Sequence, residues 1–127
     1  MDKVVHFDVP YDDKARAMKF YSEVFGWKVT DLGPNMADYL LAHTAQTDSN
    51  NMVEDKGAIN GGMPHRDELN KAPRVYIGVA SIEEAMKSII AAGGKVLQPP
   101  MPIPNGRMAL FADSEGNSMG LADNKKM

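Results

Sequence analysis

Four polar side chains stand where strand alternation brings them onto a sheet face. In His6-Phe7-Asp8-Val9, His6 and Asp8 share one side, and Val5, Phe7 and Val9 share the other. In Arg74-Val75-Tyr76-Ile77, Arg74 and Tyr76 share one side, and Val75, Ile77 and Val79 share the other. An imidazole beside a carboxylate can ligate a cation, exchange a proton near neutral pH, or only make hydrogen bonds. A guanidinium presents forked donors to a carboxylate or phosphate. A phenol can hydrogen-bond a ligand or pack with its hydroxyl at a rim. Asp8 and Arg74 are of opposite sign and can also pair with each other. A tight pair favours neutral or cationic aromatic ligands. A loose, partly solvated pair favours small anions and is the arrangement expected here.

Other chemistries are not written in the chain. There is no cysteine, which excludes disulfides, thiolate metal sites and a cysteine nucleophile. His43 and His65 lack a metal-like spacing to another histidine and read as surface residues. The run Gly57-Ala58-Ile59-Asn60-Gly61-Gly62 lacks the Gly-Lys-Ser/Thr ending of a phosphate loop. No Gly-x-Ser-x-Gly elbow is present. Gly61-Gly62 would let a ligand approach the backbone, although a bulge or turn is the commoner reason for such a pair.

The elements that must position these residues are written twice. The first copy runs from a strand at Val4–Val9 through a helix capped by Asp12 or Asp13. Ala17, Phe20, Tyr21, Val24 and Phe25 recur at helical spacing as its apolar stripe. Gly26 ends it, and strands follow over 27–32, 36–44 and 58–63. The polar run 46–56 is an exposed hairpin connection, and 64–73 a linker. The second copy starts at Arg74. Ser81 and Glu84 have capping-box spacing. Ile82, Ala85, Met86, Ile89 and Ile90 form the apolar stripe, and Gly93-Gly94 stops the helix. The proline-rich run 98–104 predicts an edge strand or extended loop. Strands at 107–112 and 118–122 flank a tight turn at 113–117, and the tail after Asp123 frays.

Composition bounds the partners. A chain of 127 residues fits one domain: module one over about 1–63, a linker over about 64–73 and module two over about 74–123. The net charge of −3 and the lack of a basic stripe exclude nucleic acid as an expected partner. No apolar run is long enough to span a membrane, and the N-terminus has no signal pattern, so a cytoplasmic protein is expected. Ten methionines are many, mostly core filler, although some could line an adaptable cavity.

The doubled pattern resembles the vicinal oxygen chelate superfamily, the glyoxalase/bleomycin-resistance/dioxygenase fold. The resemblance rests on His6, Phe20-Tyr21 and Phe25-Gly26-Trp27 in the first half. In the second it rests on Ser81-Ile82, Ala91-Ala92-Gly93-Gly94-Lys95-Val96 and the closing Ala112-Asp113-Ser114-Glu115-Gly116-Asn117. It implies an α+β fold: two βαβββ modules forming a curved eight-strand mixed sheet, with two main helices on its outer face. It implies a homodimer and, in many members, a divalent metal between modules, held from the first and last strand of each half. His6 falls on the first ligand position, Arg74 on its counterpart, Gly120 on the last, and the stretch Asn60-Gly61-Gly62 near the remaining one. Only His6 is retained as a ligand type, whereas a catalytic metal takes about three protein ligands. The resemblance therefore implies no cofactor, with a divalent metal as the alternative should Asp8, His65 or Asp123 substitute.

The expected function is metal-independent binding of a small organic molecule in the concave sheet face. His6, Asp8, Arg74, Tyr76 and Asn60 would line the pocket, with apolar walls from Trp27, Met63 and Met108. Trp27 fits helix-to-sheet packing equally well. Catalytic residues stay unassigned. The alternatives are a metal-dependent lyase or isomerase related to glyoxalase I, and a non-catalytic protein-interaction module with a filled concavity and an exposed apolar patch.

Overall fold

A computed structural model describes residues 1–50 and 52–126; position 51, in the polar run, and position 127, in the tail, lie outside them. The elements are β1 (Lys3–Asp8), α1 (Lys14–Phe25), β2 (Lys28–Asp31), a short 3-10 turn (Pro34–Met36), β3 (Leu40–His43) and β4 (Gly61–Met63). They continue as β5 (Arg74–Gly78), α2 (Ile82–Ala91), β6 (Lys95–Ile103), β7 (Gly106–Ala112) and β8 (Ser118–Asp123). This is the α+β class, βαβββ written twice, with parallel and antiparallel pairs mixed. Among the described residues no helix is long and apolar enough to cross a membrane. The chain divides into two compact units: His6–Pro73, and Arg74 onward together with Met1–Val5.

In the first unit the strand order is β2-β3-β4-β1. β3 runs antiparallel to both β2 and β4, while β1 is parallel to β4 with Asp8 opposite Gly62. Asp13, not Asp12, caps α1: its carboxylate accepts from the Arg16 amide at 2.9 Å. Gly26 closes the helix at φ 71°, where a side chain would be strained. The core is Tyr11, Leu40, Ala42 and Met63, with Phe7, Ala17, Met18, Tyr21, Trp27 and Val29 packed against it.

The apolar stripe of α1 departs from the sequence reading. Phe20, Val24 and Phe25 are 53%, 57% and 60% exposed, and no residue of α1 is fully buried. The helix is rotated so that Ala17, Met18 and Tyr21 face the core. The third strand is also shorter than expected. Pro34–Met36 make a 3-10 turn, Ala37 and Asp38 take positive φ, and regular pairing begins only at Leu40. Of 58–63, only Gly61–Met63 is strand, and among the described residues the polar run carries one bridge, Thr47 to Val53.

In the second unit the order is β5-β8-β7-β6, with β5 parallel to β8 and the remaining pairs antiparallel. Ser81 caps α2 by accepting from the Glu84 amide at 3.3 Å. Glu84 instead turns to Lys87 at 3.2 Å. The Ile82 amide is taken by Asp123 Oδ2 at 3.0 Å, from the end of β8. Ile82, Met86, Ala109, Phe111 and Leu121 form the core, flanked by Ile77, Val79, Ala85, Ile89 and Met119. Ile90, placed on the stripe by its spacing, is exposed. The proline-rich run is a true strand at the sheet edge. Its register shifts between Val96 and Gln98 and between Gln98 and Met101 absorb the amides that Pro99 and Pro100 lack.

Candidate functional site

In the first unit the polar face of β1 is completed by Tyr39, a residue the sequence pattern does not single out. The Tyr39 hydroxyl donates to Asp8 Oδ1 at 2.6 Å and lies 2.8 Å from His6 Nε2. A phenol has one proton. If that proton goes to the carboxylate, the hydroxyl oxygen can only accept from the imidazole. The chain therefore has a direction: His6 Nε2–H to Tyr39, and Tyr39 O–H to Asp8. His6 Nε2 is also 3.5 Å from Asp8 Oδ1. Asp8 is 3% exposed, whereas the His6 side chain is 32% exposed. The relay thus has a buried anionic end and an accessible imidazole end.

Local structure holds Tyr39 in place. Its amide donates to the Met36 carbonyl at 3.0 Å, and its carbonyl accepts from the Leu32 amide at 3.0 Å. The Tyr11 hydroxyl donates to the Asp38 carbonyl at 2.7 Å. Lys14 Nζ donates to Asp31 Oδ2 and Asp38 Oδ1, each at 3.0 Å. These bonds hold the Lys14 ammonium above its ordinary pKa, and the Gly33 amide, with Lys14, holds Asp31 below its own. Gly62 supplies the space: any Cβ there would overlap the Tyr39 hydroxyl. The neighbouring Gly61 does the same for the Phe7 ring and backbone on the opposite face. The pair of glycines therefore receives this chain's own aromatic rings.

In the second unit, Arg74 and Tyr76 lie on the face of β5 turned from α2. Arg74 is 5% and Tyr76 6% exposed. Arg74 Nη1 donates to Ser118 Oγ at 3.1 Å. The loosely solvated guanidinium expected from the sequence is thus not found, because the side chain is buried. Tyr76 pairs in register with Gly120, and a Cβ on Gly120 would overlap the Tyr76 ring. Met108 is half-buried on β7, with Gln98 Nε2 3.9 Å from its sulfur.

The other expected lining residues serve elsewhere. Met63 is fully buried in the first core. Asn60 Oδ1 accepts from the Thr44 and Ala45 amides at 2.8 and 3.1 Å, tying the end of β3 to the approach to β4. Trp27 stacks on Tyr21 at 4.7 Å and contacts Phe7 at 5.6 Å, which is helix-to-sheet packing. His65 meets Tyr11 edge-on at 5.4 Å. The signal for Tyr39 was present but indirect: a glycine in a strand opposite a run carrying one tyrosine.

A second charged cluster lies in the second unit. Arg107 is 7% exposed and donates to Asp123 Oδ2 at 2.6 Å and, in a forked pair, to Glu83 at 2.7 and 2.8 Å. The guanidinium holds Glu83 and Asp123 each down at about 2, and they push Arg107 up. With four hydrogen bonds from Arg107 to the two carboxylates and Asp123 capping α2, this cluster joins β7, β8 and the helix start.

The family model described as Glyoxalase/Bleomycin resistance protein/Dioxygenase superfamily matches residues 3–121. The chain belongs to this superfamily. Among its relatives is a probable lactoylglutathione lyase of Vibrio parahaemolyticus, 27% identical over 98% of this chain and 92% of that protein. The lactoylglutathione lyase of Haemophilus influenzae is 25% identical over 97% of this chain and 93% of that protein. A solved structure of Streptomyces coelicolor methylmalonyl-CoA epimerase, in complex with 2-nitronate-propionyl-CoA, has a TM-score of 0.67 at 17% identity. It covers 98% of each chain, a likeness of fold. Within the superfamily pattern, the four positions where metal ligands are expected hold His6, Gly62 or its neighbours, Arg74 and Gly120. Among the described residues no group of three or more His, Cys, Asp or Glu side chains comes together as a metal site would require.

Proposed function

We propose that this superfamily member binds a small organic molecule on the polar strand face and does so without a metal. The observation that carries the reading is the pair of tyrosines seated on glycines. Tyr39 covers Gly62 and Tyr76 covers Gly120, at the strand positions where ligating carboxylates would be expected. Those positions offer neither a donor atom nor room for one. His6 Nε2, the remaining candidate donor, is engaged by Tyr39, and Arg74 brings a positive charge to the position corresponding to His6. These residues do not fit a divalent cation, which needs about three converging lone pairs. They suit hydrogen bonding to an uncharged or weakly acidic organic group. The test is the purified protein's metal content, with its melting temperature in chelator and in excess zinc or nickel. The expected result is no stoichiometric metal and no shift; one metal per chain, bound through His6, overturns the reading.

The second reading is a metal-dependent lyase or isomerase. It is favoured by the names of the Vibrio and Haemophilus relatives and by a histidine at the first ligand position. It requires lactoylglutathione lyase activity that rises with added divalent metal and is lost in His6→Gln. The superfamily resemblance also supports a cytoplasmic homodimer, for which light scattering in solution gives the mass.

A further inference from the structure

We propose that Asn105 is a site of spontaneous covalent modification, converting to aspartate and isoaspartate in the folded protein through attack by the Gly106 backbone nitrogen. The proposal stands apart from the small-molecule reading above. Asparagine followed by glycine occurs twice in the chain, at Asn60-Gly61 and Asn105-Gly106. The two dipeptides are chemically alike, so the fold decides which of them reacts.

The chemistry is a ring closure followed by hydrolysis. The Gly106 nitrogen bonds to Asn105 Cγ, and the bond from Cγ to the side-chain nitrogen breaks. The backbone amide proton leaves with that nitrogen as ammonia. Water then opens the cyclic imide at either carbonyl. One opening gives aspartate; the other gives isoaspartate, whose main chain runs through the former side chain. No oxidant or reductant takes part, and either product adds a negative charge.

The step needs a side-chain amide free to turn, an unhindered neighbouring nitrogen, and water. Asn105 is exposed in the turn between β6 and β7, and its side chain makes no hydrogen bond among the described residues. Gly106 belongs to the last pair of that ladder, opposite Ile103, and β6 is the outermost strand. Such an end pair opens while the rest of the ladder stays closed. The fold also forbids a bulkier neighbour, because a Cβ on Gly106 would overlap the Asp123 carbonyl oxygen. The requirement for glycine at 106 leaves Asn105 beside the least hindered nucleophile the chain can offer.

Asn60 has none of this freedom. Its Oδ1 accepts from the Thr44 and Ala45 amides at 2.8 and 3.1 Å. Gly61 is buried in β4, between β3 and β1, opposite Ala42 and against the Phe7 ring. Bringing its nitrogen onto Asn60 Cγ means breaking both bonds and unseating a middle strand. The two products at Asn105 also differ in consequence. Aspartate leaves the main chain unchanged. Isoaspartate lengthens it by a methylene in the turn, two residues before Met108 and beside Arg107, which holds Glu83 and Asp123.

The experiment ages the purified protein in mildly alkaline buffer, folded and in denaturant, and follows tryptic peptides 96–107 and 57–66 by mass spectrometry. Each peptide carries one of the two sites. In the folded protein Asn105 should convert about tenfold or more faster than Asn60, and in denaturant the two rates should converge. An Asn105 peptide that stays intact in the folded protein while the denatured control converts overturns the proposal, as does an Asn60 peptide that keeps pace with it. Melting temperature separates the two products. Aged wild type should melt earlier than fresh, whereas fresh Asn105→Asp, which carries the charge without the added methylene, should melt with fresh wild type. Asn105→Asp melting as early as the aged protein overturns the role given to isoaspartate.

Discussion

The two modules share one plan and hold it together differently. In the second, α2 is seated by aliphatic side chains, with Ile82 wholly buried and Met86 nearly so, and its first turn is bound to the sheet by Asp123 and Arg107. In the first, α1 buries nothing completely and rests on a flank of Ala17, Met18 and Tyr21 beside the Phe7–Trp27 aromatic contact. Beyond the Asp13 cap and the Lys14 ion pairs, its polar groups form the His6–Tyr39–Asp8 cluster across the opposite strand face. The difference teaches that duplication of a fold leaves its halves free to divide labour. One half here is built as an anchor, and the other keeps a titratable side chain accessible.

Breaking the anchor should have the largest effect. Ile82→Ala removes a fully buried branched side chain and should cost about 2–5 kcal/mol in chemical denaturation. A smaller loss would show that α2 is no better seated than α1. The tyrosine-on-glycine pairs sharpen the comparison. Gly62→Ala and Gly120→Ala each force a rigid ring to move and should cost about 1–3 kcal/mol by overpacking. Only Gly62→Ala should also disturb the contact between Tyr39 and His6, since only that glycine seats the hydroxyl that His6 meets.

The charged anchor should show itself in acid. Glu83 and Asp123 titrate at about 2 in the folded protein, against ordinary values of 4.5 and 3.8. The unfolded chain therefore binds more protons in this interval. Their contribution is present above those ordinary values and is lost as pH falls toward about 2. In Arg107→Met the dependence of stability on pH should flatten across that window, and an unchanged slope would remove the cluster from the account. The smallest effect is expected at Phe20. Being more than half exposed, Phe20→Ala should change stability by less than about 1 kcal/mol. A loss of several kcal/mol would return α1 to the packing its periodicity suggests.

That last residue marks where the sequence was legible and where it was not. Strand alternation placed His6 with Asp8 and Arg74 with Tyr76, and Asp13, Gly26, Ser81 and Gly93 punctuate the helices as their chemistry requires. The rotation of α1 was not legible. Apolar residues at 17, 18, 20, 21, 24 and 25 make a band wider than the contact it serves, and spacing alone does not choose which edge meets the sheet. Met18, left out of a stripe drawn through Phe20, packs against the core. Of the candidate site, His6 and Asp8 were legible from alternation. Tyr39 was not, because Ala37 and Asp38 take positive φ just before it and interrupt the alternation that would have set its face. Burial of Arg74 was invisible for a related reason: a polar residue on the outward face of an alternating strand reads as solvated, whatever packs over it. Asn60 and Met63 were drawn into the pocket by sequence proximity to Gly61-Gly62, when one binds backbone amides and the other fills the core.

The prolines of β6 bear on how this protein behaves among copies of itself. An outermost strand normally exposes a row of amide donors, a template onto which a stray extended segment can dock and from which fibrils can grow. At Pro99, Pro100 and Pro102 those donors do not exist, and the two register shifts bend the strand out of a flat line. Val96, Leu97, Met101 and Ile103, all substantially exposed along the same strand, would otherwise make it sticky. The apolar surface remains for contact, while the backbone pairing that would turn contact into cross-β aggregation is denied.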